Sequence, residues 1–207
     1  MNIPKSKASK EISPSSKVAA KKRLAILKAA VVLFSRHGFK RASIDLIAEA
    51  AKVAKPTIYA HFEDKDALFA AVCGLFMEQL LEGAKAARAL PTLQERISGI
   101  LGAKFTMYFE VVLRSPYADE LIHATNELAS DVVEKADVRY KALLVEELLQ
   151  CEARKELSLS TLQLGADSLA DALLQAAHGA GYNAKSAAEH TANVQRLVRL
   201  ILRSPSV

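Results

Sequence analysis

The sequence has few of the residues that staple, break or anchor a chain. It holds only two cysteines, Cys73 and Cys151, with no metal-ligand spacing. That excludes a disulfide framework and a structural zinc cluster, and the pair read as core or surface thiols of a reducing compartment. Six prolines and eight glycines in 207 residues leave long stretches free to be helical. No run of about 18 apolar residues occurs, so no membrane span or membrane partner is expected. Met1 to Lys22 carries lysines and serines but no apolar stretch, so it does not read as a secretory signal, and a cytoplasmic location is expected. Phosphate loops, metal motifs and nucleophile–base spacings are also missing, and the isolated His178 and His190 do not make one. No enzyme activity, cofactor or metal is expected.

What is present is a hydrophobic fraction of 51% and an uneven charge. Residues 1–65 hold 14 Lys+Arg against 5 Asp+Glu, a net of +9. The remainder holds 14 against 18, a net of −4. A basic front attracts a polyanion and a mildly acidic back does not. Charge alone leaves a solubilising tail as an equal alternative.

Apolar residues recur at helical spacing and nowhere alternate with period two, so an all-α fold is expected. Residues 1–16 are too polar to offset chain entropy and read as a disordered basic arm. Leu24, Leu27, Val31 and Phe34 mark the first helix, which Gly38 should end. Ser43 should cap a short helix with Ile44, Ile47 and Ala48 inward. Pro56 suits the first turn of a third. Asp64 should cap a fourth. Behind Pro91, Thr92 with Glu95, Ser160 with Gln163, and Ser186 with Glu189 read as capping pairs. Ser115-Pro116 reads as a break and Gly179 with Gly181 as a stop. About nine helices result.

Three short helices in the basic third suggest a helix-turn-helix between about Ser43 and Phe62. Its outward positions carry Lys55, Thr57, Tyr59 and His61, all able to touch phosphates or base edges. The extended stretch from Phe39 through Ile47-Ala48, Val53, Thr57-Ile58-Tyr59, Phe62 and Lys65 to Leu68-Phe69 resembles the signature of the tetracycline-repressor (TetR) family. With Ala29, Leu33, Phe34 and Gly38 before it, the resemblance covers about Arg23 to Phe69. It implies an all-α protein with a three-helix DNA-binding head (17–64) and a larger helical bundle for ligand binding and dimerisation (65–207). It implies a homodimeric repressor, released from a near-palindromic site on double-stranded DNA by a small-molecule effector. On this resemblance Ser43 anchors a phosphate while capping its helix, Lys55, Thr57, Tyr59 and His61 face DNA, and Lys65 clamps a phosphate; by their charge and place, Lys40, Arg41 and Lys52 are further candidate DNA contacts.

Two positions depart from the family pattern. Lys52 stands where glycine is usual in the turn, and Ala54 where Ser or Thr caps the recognition helix. Each should cost the head about 1 kcal/mol.

In the bundle, Phe105, Tyr108, Phe109, Tyr117, His123, Asn126 and Tyr140 are candidate effector contacts, with ordinary core packing as the alternative. His123 and Asn126, one turn apart, could orient a polar group. Leu162, Ala166, Leu169, Leu173, Val194, Leu197, Val198 and Ile201 are candidate dimer contacts in a four-helix arrangement of two copies, with intrachain core as the alternative. Two other classes remain open at this level. One is an all-α enzyme or small-molecule carrier that ignores DNA. The other is a bundle protein that binds every duplex equally.

Overall fold

The computed structural model describes residues 14–181 and 184–202. Among these there is no strand, and ten α-helices follow in order. They are α1 (Pro14–Arg41), α2 (Ile44–Ala51), α3 (Lys55–Tyr59), α4 (Lys65–Ala87), α5 (Leu93–Tyr108), α6 (Ala118–Leu128), α7 (Ser130–Ala153), α8 (Leu159–Leu162), α9 (Ala166–Gly181) and α10 (Ala187–Ile201). A π-helical turn, Phe109–Leu113, continues α5. Most of the expected basic arm lies outside the described residues, but Pro14 to Ser16 already belong to α1.

The helix ends follow local chemistry. Ser43 Oγ accepts the N–H of Leu46 at 3.2 Å, and Asp64 accepts that of Ala67 at 2.7 Å. Thr92 and Glu95 form the reciprocal capping box: Thr92 N–H donates to the Glu95 carboxylate at 3.0 Å and Glu95 N–H to Thr92 Oγ1 at 3.2 Å. Ser186 Oγ accepts the N–H of Glu189 at 3.1 Å. Gly38, at φ 76 and ψ 170, interrupts α1 as expected, and one more turn follows it.

Two boundaries differ from the sequence reading. Ser160 and Gln163 form no box. Ser158 instead caps the four-residue α8, and Gln163 closes it in the left-handed region at φ 53. The chain restarts at Ala166, so one expected helix becomes two. Gly179 and Gly181 do not stop α9, which includes both.

Two cores organise the chain. The first joins Ile26, Phe34, Ile47, Ile58, Leu68 and Phe69 of α1 to α4 with Leu121 and Ala124 of α6. Ile26, Ile47 and Leu68 are fully buried, each contributing about 1.5–3 kcal/mol. Phe34, Phe39 and Phe69 form a triangle with ring centroids 5.0–5.8 Å apart, tying the end of α1 to α4. The second core gathers the far half of α4 with α5, α7, α9 and α10 around Ile97, Leu101, Leu144, Leu148, Leu169 and Val194. Helix α4 is long and apolar enough to cross a membrane by composition. Here it is a core helix: Leu68, Phe69 and Val72 enter the first core, and Leu81 and Ala84 the second.

A charged cluster closes the base of the second core. Glu147, fully buried, accepts from Arg96 Nε at 2.8 Å and Arg88 Nε at 3.0 Å. Arg96 also donates to Glu156 and to the Leu90 and Pro91 carbonyls. A buried ion pair survives only when its remaining donors and acceptors are satisfied, as they are here. It fixes α4, α5 and α7 relative to one another. Both cysteines are buried, and burial pushes each thiol up to about 11.

Candidate nucleic-acid interface and effector cavity

Helices α2 and α3 meet across a turn whose geometry decides the angle between them. Lys52 sits at φ 54, ψ 45. Its N–H donates to the Glu49 carbonyl at 3.1 Å, and the next N–H, of Val53, to the Ala48 carbonyl at 3.0 Å. That is a Schellman closure with a lysine where glycine is favoured. Lys52 is exposed in the turn before α3. Ala54 leads into α3 with no side-chain cap, and Pro56 occupies the first turn. Both departures noted in the sequence are therefore real local features.

The face of α3 is polar and open while Ile58 is buried behind it. Lys55 and Tyr59 are exposed, Tyr59 at 48%, and Thr57 and His61 are half-buried beside them. Lys55 Nζ lies 3.0 Å from the Asp45 carboxylate, whose hydrogen bond raises the lysine pKa. This exposed ion pair joins the start of α2 to the start of α3. Ser43 and Lys40 are also exposed. Ser43 caps α2 through the Leu46 N–H and is itself exposed at the start of that helix. Arg23 of α1 stacks over Phe62 at 5.1 Å, which places a cation at the edge of the same unit.

Two expected cations are placed elsewhere. Lys65 Nζ donates to the carbonyls of Phe39 at 3.1 Å and Lys40 at 3.3 Å and lies 4.4 Å from the Phe39 ring. It ties down the end of α1, so its ammonium does not face outward as a phosphate clamp. Arg41 donates to Tyr117 Oη at 2.9 Å and stacks on that ring. It joins the head to the start of α6. The junction continues with Ser115 Oγ donating to the Ser35 carbonyl at 2.6 Å and Glu120 accepting the N–H of Lys40 at 2.6 Å. The sequence offered no signal for this junction because its partners lie about eighty positions apart.

Between α4, α5, α6, α7 and α9 lies a cavity of about 310 Å3. Of the expected effector contacts, it brings together Phe105, Tyr108 and Asn126. The others are corrected. His123 is 71% exposed and pairs with Glu127 at 3.6 Å on the outer face of α6, so it does not act with Asn126. Tyr117 belongs to the head junction. Tyr140 is a core residue whose hydroxyl donates to the Ile100 carbonyl, reaching only the outer vestibule. Phe109 stands in the π-helical turn and does not line this cavity. Sequence reading missed Lys104 and Asp137, which pair at 2.6 Å in its wall, and Thr125 and His178. Lone polar residues on four helices carry no common spacing, so only packing brings them together.

The expected dimer contacts also divide. Ala166, Leu169, Leu173, Val194 and Val198 are buried within the chain's own core, where no partner chain reaches them. They satisfy the apolar face that α9 and α10 turn toward α5 and α7. Leu162, Leu197 and Ile201 remain half-buried, and Leu200 is 60% exposed.

Comparison with known proteins bears on the head in sequence and on the whole chain in fold. Residues 26–72 match the family model described as bacterial regulatory proteins, tetR family. This segment, most of the head and the first turns of α4, is similar to the DNA-binding region of tetR-family regulators. Over 59 residues, 28% of this chain, it is 36% identical to the uncharacterized HTH-type transcriptional regulator YhgD of Bacillus subtilis (strain 168). That match spans 31% of the relative's length. The whole TetR fold is similar to solved structures. A TetR transcription regulator from Haloarcula marismortui superposes with a TM-score of 0.69 at 16% identity, over 88% of this chain and 97% of that one. A TetR/AcrR-family regulator from Thermobifida fusca gives 0.65 at 22% identity, over 86% and 96%. The TetR match in sequence is confined to the head, while the likeness in fold extends through the bundle.

Proposed function

We propose that this chain is a TetR-family transcriptional repressor that grips a near-palindromic duplex as a homodimer and is released by a small-molecule effector. The observation that carries this reading is the open polar face of α3, with Lys55 and Tyr59 exposed in front of buried Ile58. A helix presented in this way, on a scaffold of net positive charge, is what entry into a major groove about 12 Å wide requires. Lys40, Ser43 and Lys52 flank it on the exposed surface and would hold phosphates. Lys17, Lys21 and Lys22, exposed along the start of α1, add further positive charge to the head.

The outer faces of α9 and α10 supply the partner surface in this reading. Leu197, Leu200 and Ile201 are its apolar part, alongside small residues such as Ala172 and Ala192 that let helices approach. Two copies joined there would set the spacing of the two heads. An effector would act by binding one spacing more tightly than the other.

The test is selection from a library of random duplexes by the full chain, followed by titration at several salt concentrations. A specific, salt-sensitive complex with a two-fold-related site is expected. Equal affinity for all duplexes, or none, overturns the reading.

A further inference from the structure

The candidate effector cavity adjoins two other hollows and shares walls with both. Lys104, Asn126, Val133 and Asp137 line both it and an open vestibule of about 520 Å3. Phe76, Met77, Tyr108 and Val112 line both it and a narrow crevice of about 90 Å3. Thr125 borders all three. The crevice runs between α4, α6 and the π-helical turn, and its end wall is α1 itself, at Val31, Phe34 and Ser35.

Polarity falls from the vestibule through the cavity to the crevice. The vestibule carries Glu134, Lys141 and Ser130 at its rim. The middle cavity has one cation and one carboxylate, Lys104 and Asp137, and they neutralise each other at 2.6 Å. A charged ligand would have to break that pair to find a counter-ion. Tyr108 and Asn126 are different. Neither side chain hydrogen-bonds to another described residue: Asn126 is exposed where the cavity meets the vestibule, and Tyr108, half-buried, lines both the cavity and the crevice. Beyond it the crevice is phenyl, aliphatic and sulfur surface apart from two hydroxyls already bonded to backbone carbonyls, Ser35 to Val32 and Thr125 to Leu121.

We propose that the effector is an uncharged single-chain amphipath, its hydroxyl, ester or amide head bonded to Tyr108 and Asn126 and its straight hydrocarbon tail seated in the crevice against α1. This rests on the reading of the chain as an effector-controlled regulator and names the ligand class and the point of action. The tail ends against Phe34, which packs on Phe69 and Phe39, so filling the crevice bears directly on the contact between α1 and α4. Those two helices carry the DNA-binding head, and no longer relay through the bundle is needed.

The test is calorimetric titration of the full chain with octanol, decanol and dodecanol, and with octanoate and octyltrimethylammonium. The alcohols should tighten about fourfold per methylene until the crevice is full. The two charged heads should bind at least about tenfold more weakly than octanol. Tyr108→Phe should weaken every alcohol by about three- to tenfold and leave the length series intact. Val112→Phe, narrowing the entrance to the crevice, should remove the gain with length and weaken every alcohol, octanol least. If that variant shows no cooperative melt, Met77→Phe replaces it. A flat length series, a tighter charged ligand, or a length series that survives the plug overturns the proposal. If no amphipath binds a chain that still selects a duplex, the ligand class fails and the regulator reading stands. If the alcohols bind as expected and the chain selects no duplex, the cavity assignment stands and the regulator reading fails.

Discussion

Glu120 accepts the backbone N–H of Lys40 at 2.6 Å, and the same carboxylate lies 2.9 Å from where a Cβ on Gly38 would stand. One acidic side chain thus seals the end of α1 against α6. The seal needs the bare backbone of a glycine at φ 76, ψ 170, a region that other residues avoid. Gly38→Ala should therefore cost about 1–3 kcal/mol, chiefly from backbone strain, and should push Glu120 off Lys40. Glu120→Gln keeps the backbone and should cost about 1 kcal/mol. Urea melts check both, with lower midpoints expected at unchanged slope. An alanine variant as stable as the parent would remove the argument.

Lys55 and Lys65 should separate DNA affinity from stability. Lys55 is exposed on the recognition face, so Lys55→Gln should change stability by less than about 0.5 kcal/mol. It should make the slope of log affinity against log salt shallower by about 0.9. Lys65→Gln strips two carbonyls and an aromatic ring of their cation, and should cost about 1–2 kcal/mol while leaving the slope unchanged. Salt titrations of binding alongside thermal melts distinguish the two, and identical behaviour would contradict the assignment.

The turn between α2 and α3 is open to improvement. Ala54→Ser supplies the missing cap of α3 and should add about 0.5–1 kcal/mol. Lys52→Gly relieves the left-handed lysine and should add up to about 1 kcal/mol, while removing a cation from the DNA side. A gain in stability with a loss of DNA affinity is expected for Lys52→Gly. A loss in both would show that the lysine stem packs usefully.

Glu147 links stability to acid. Burial opposes its ionisation, but hydrogen bonds from Arg88, Cys151 and Arg96 outweigh burial and hold its carboxyl below the usual range. The folded pKa is thus below the unfolded value of about 4.3. The stabilisation is fully present above that value and is lost as pH falls through the folded pKa. Glu147→Gln leaves Arg96 buried without its carboxylate and should cost about 3–5 kcal/mol near neutral pH, with less further loss on acidification than the parent. Urea midpoints taken from neutral pH down to about pH 3 test this. Parallel acid losses in the two proteins would show that other carboxylates dominate.

Much of the head was legible because its information is local. Ser43, Asp64 and Thr92 announce helix starts through bonds to N–H groups three residues on. Gly38, Lys52 and Ala54 could be judged from the backbone angle or cap that each position demands. The family resemblance added the order of these parts. The stretch after Glu156 was less legible. Ser158 and Ser160 are both able to cap, and the choice depends on Leu159 and Ala166 packing into the second core.

By itself, then, the sequence determined helical content, the helix-turn-helix and its exposed face, since periodicity and caps act within a few residues. It could not say which apolar face meets which. The tertiary structure alone decided that Leu169, Leu173, Val194 and Val198 fill their own chain's core. It alone turned Lys65 inward and Arg41 toward Tyr117, and it put Lys104 and Asp137, not His123, around the cavity. The physical reason is the same in each case. A long side chain or an apolar helix face takes whichever neighbour removes most apolar surface from water and satisfies its polar atoms, and that neighbour lies tens of residues away.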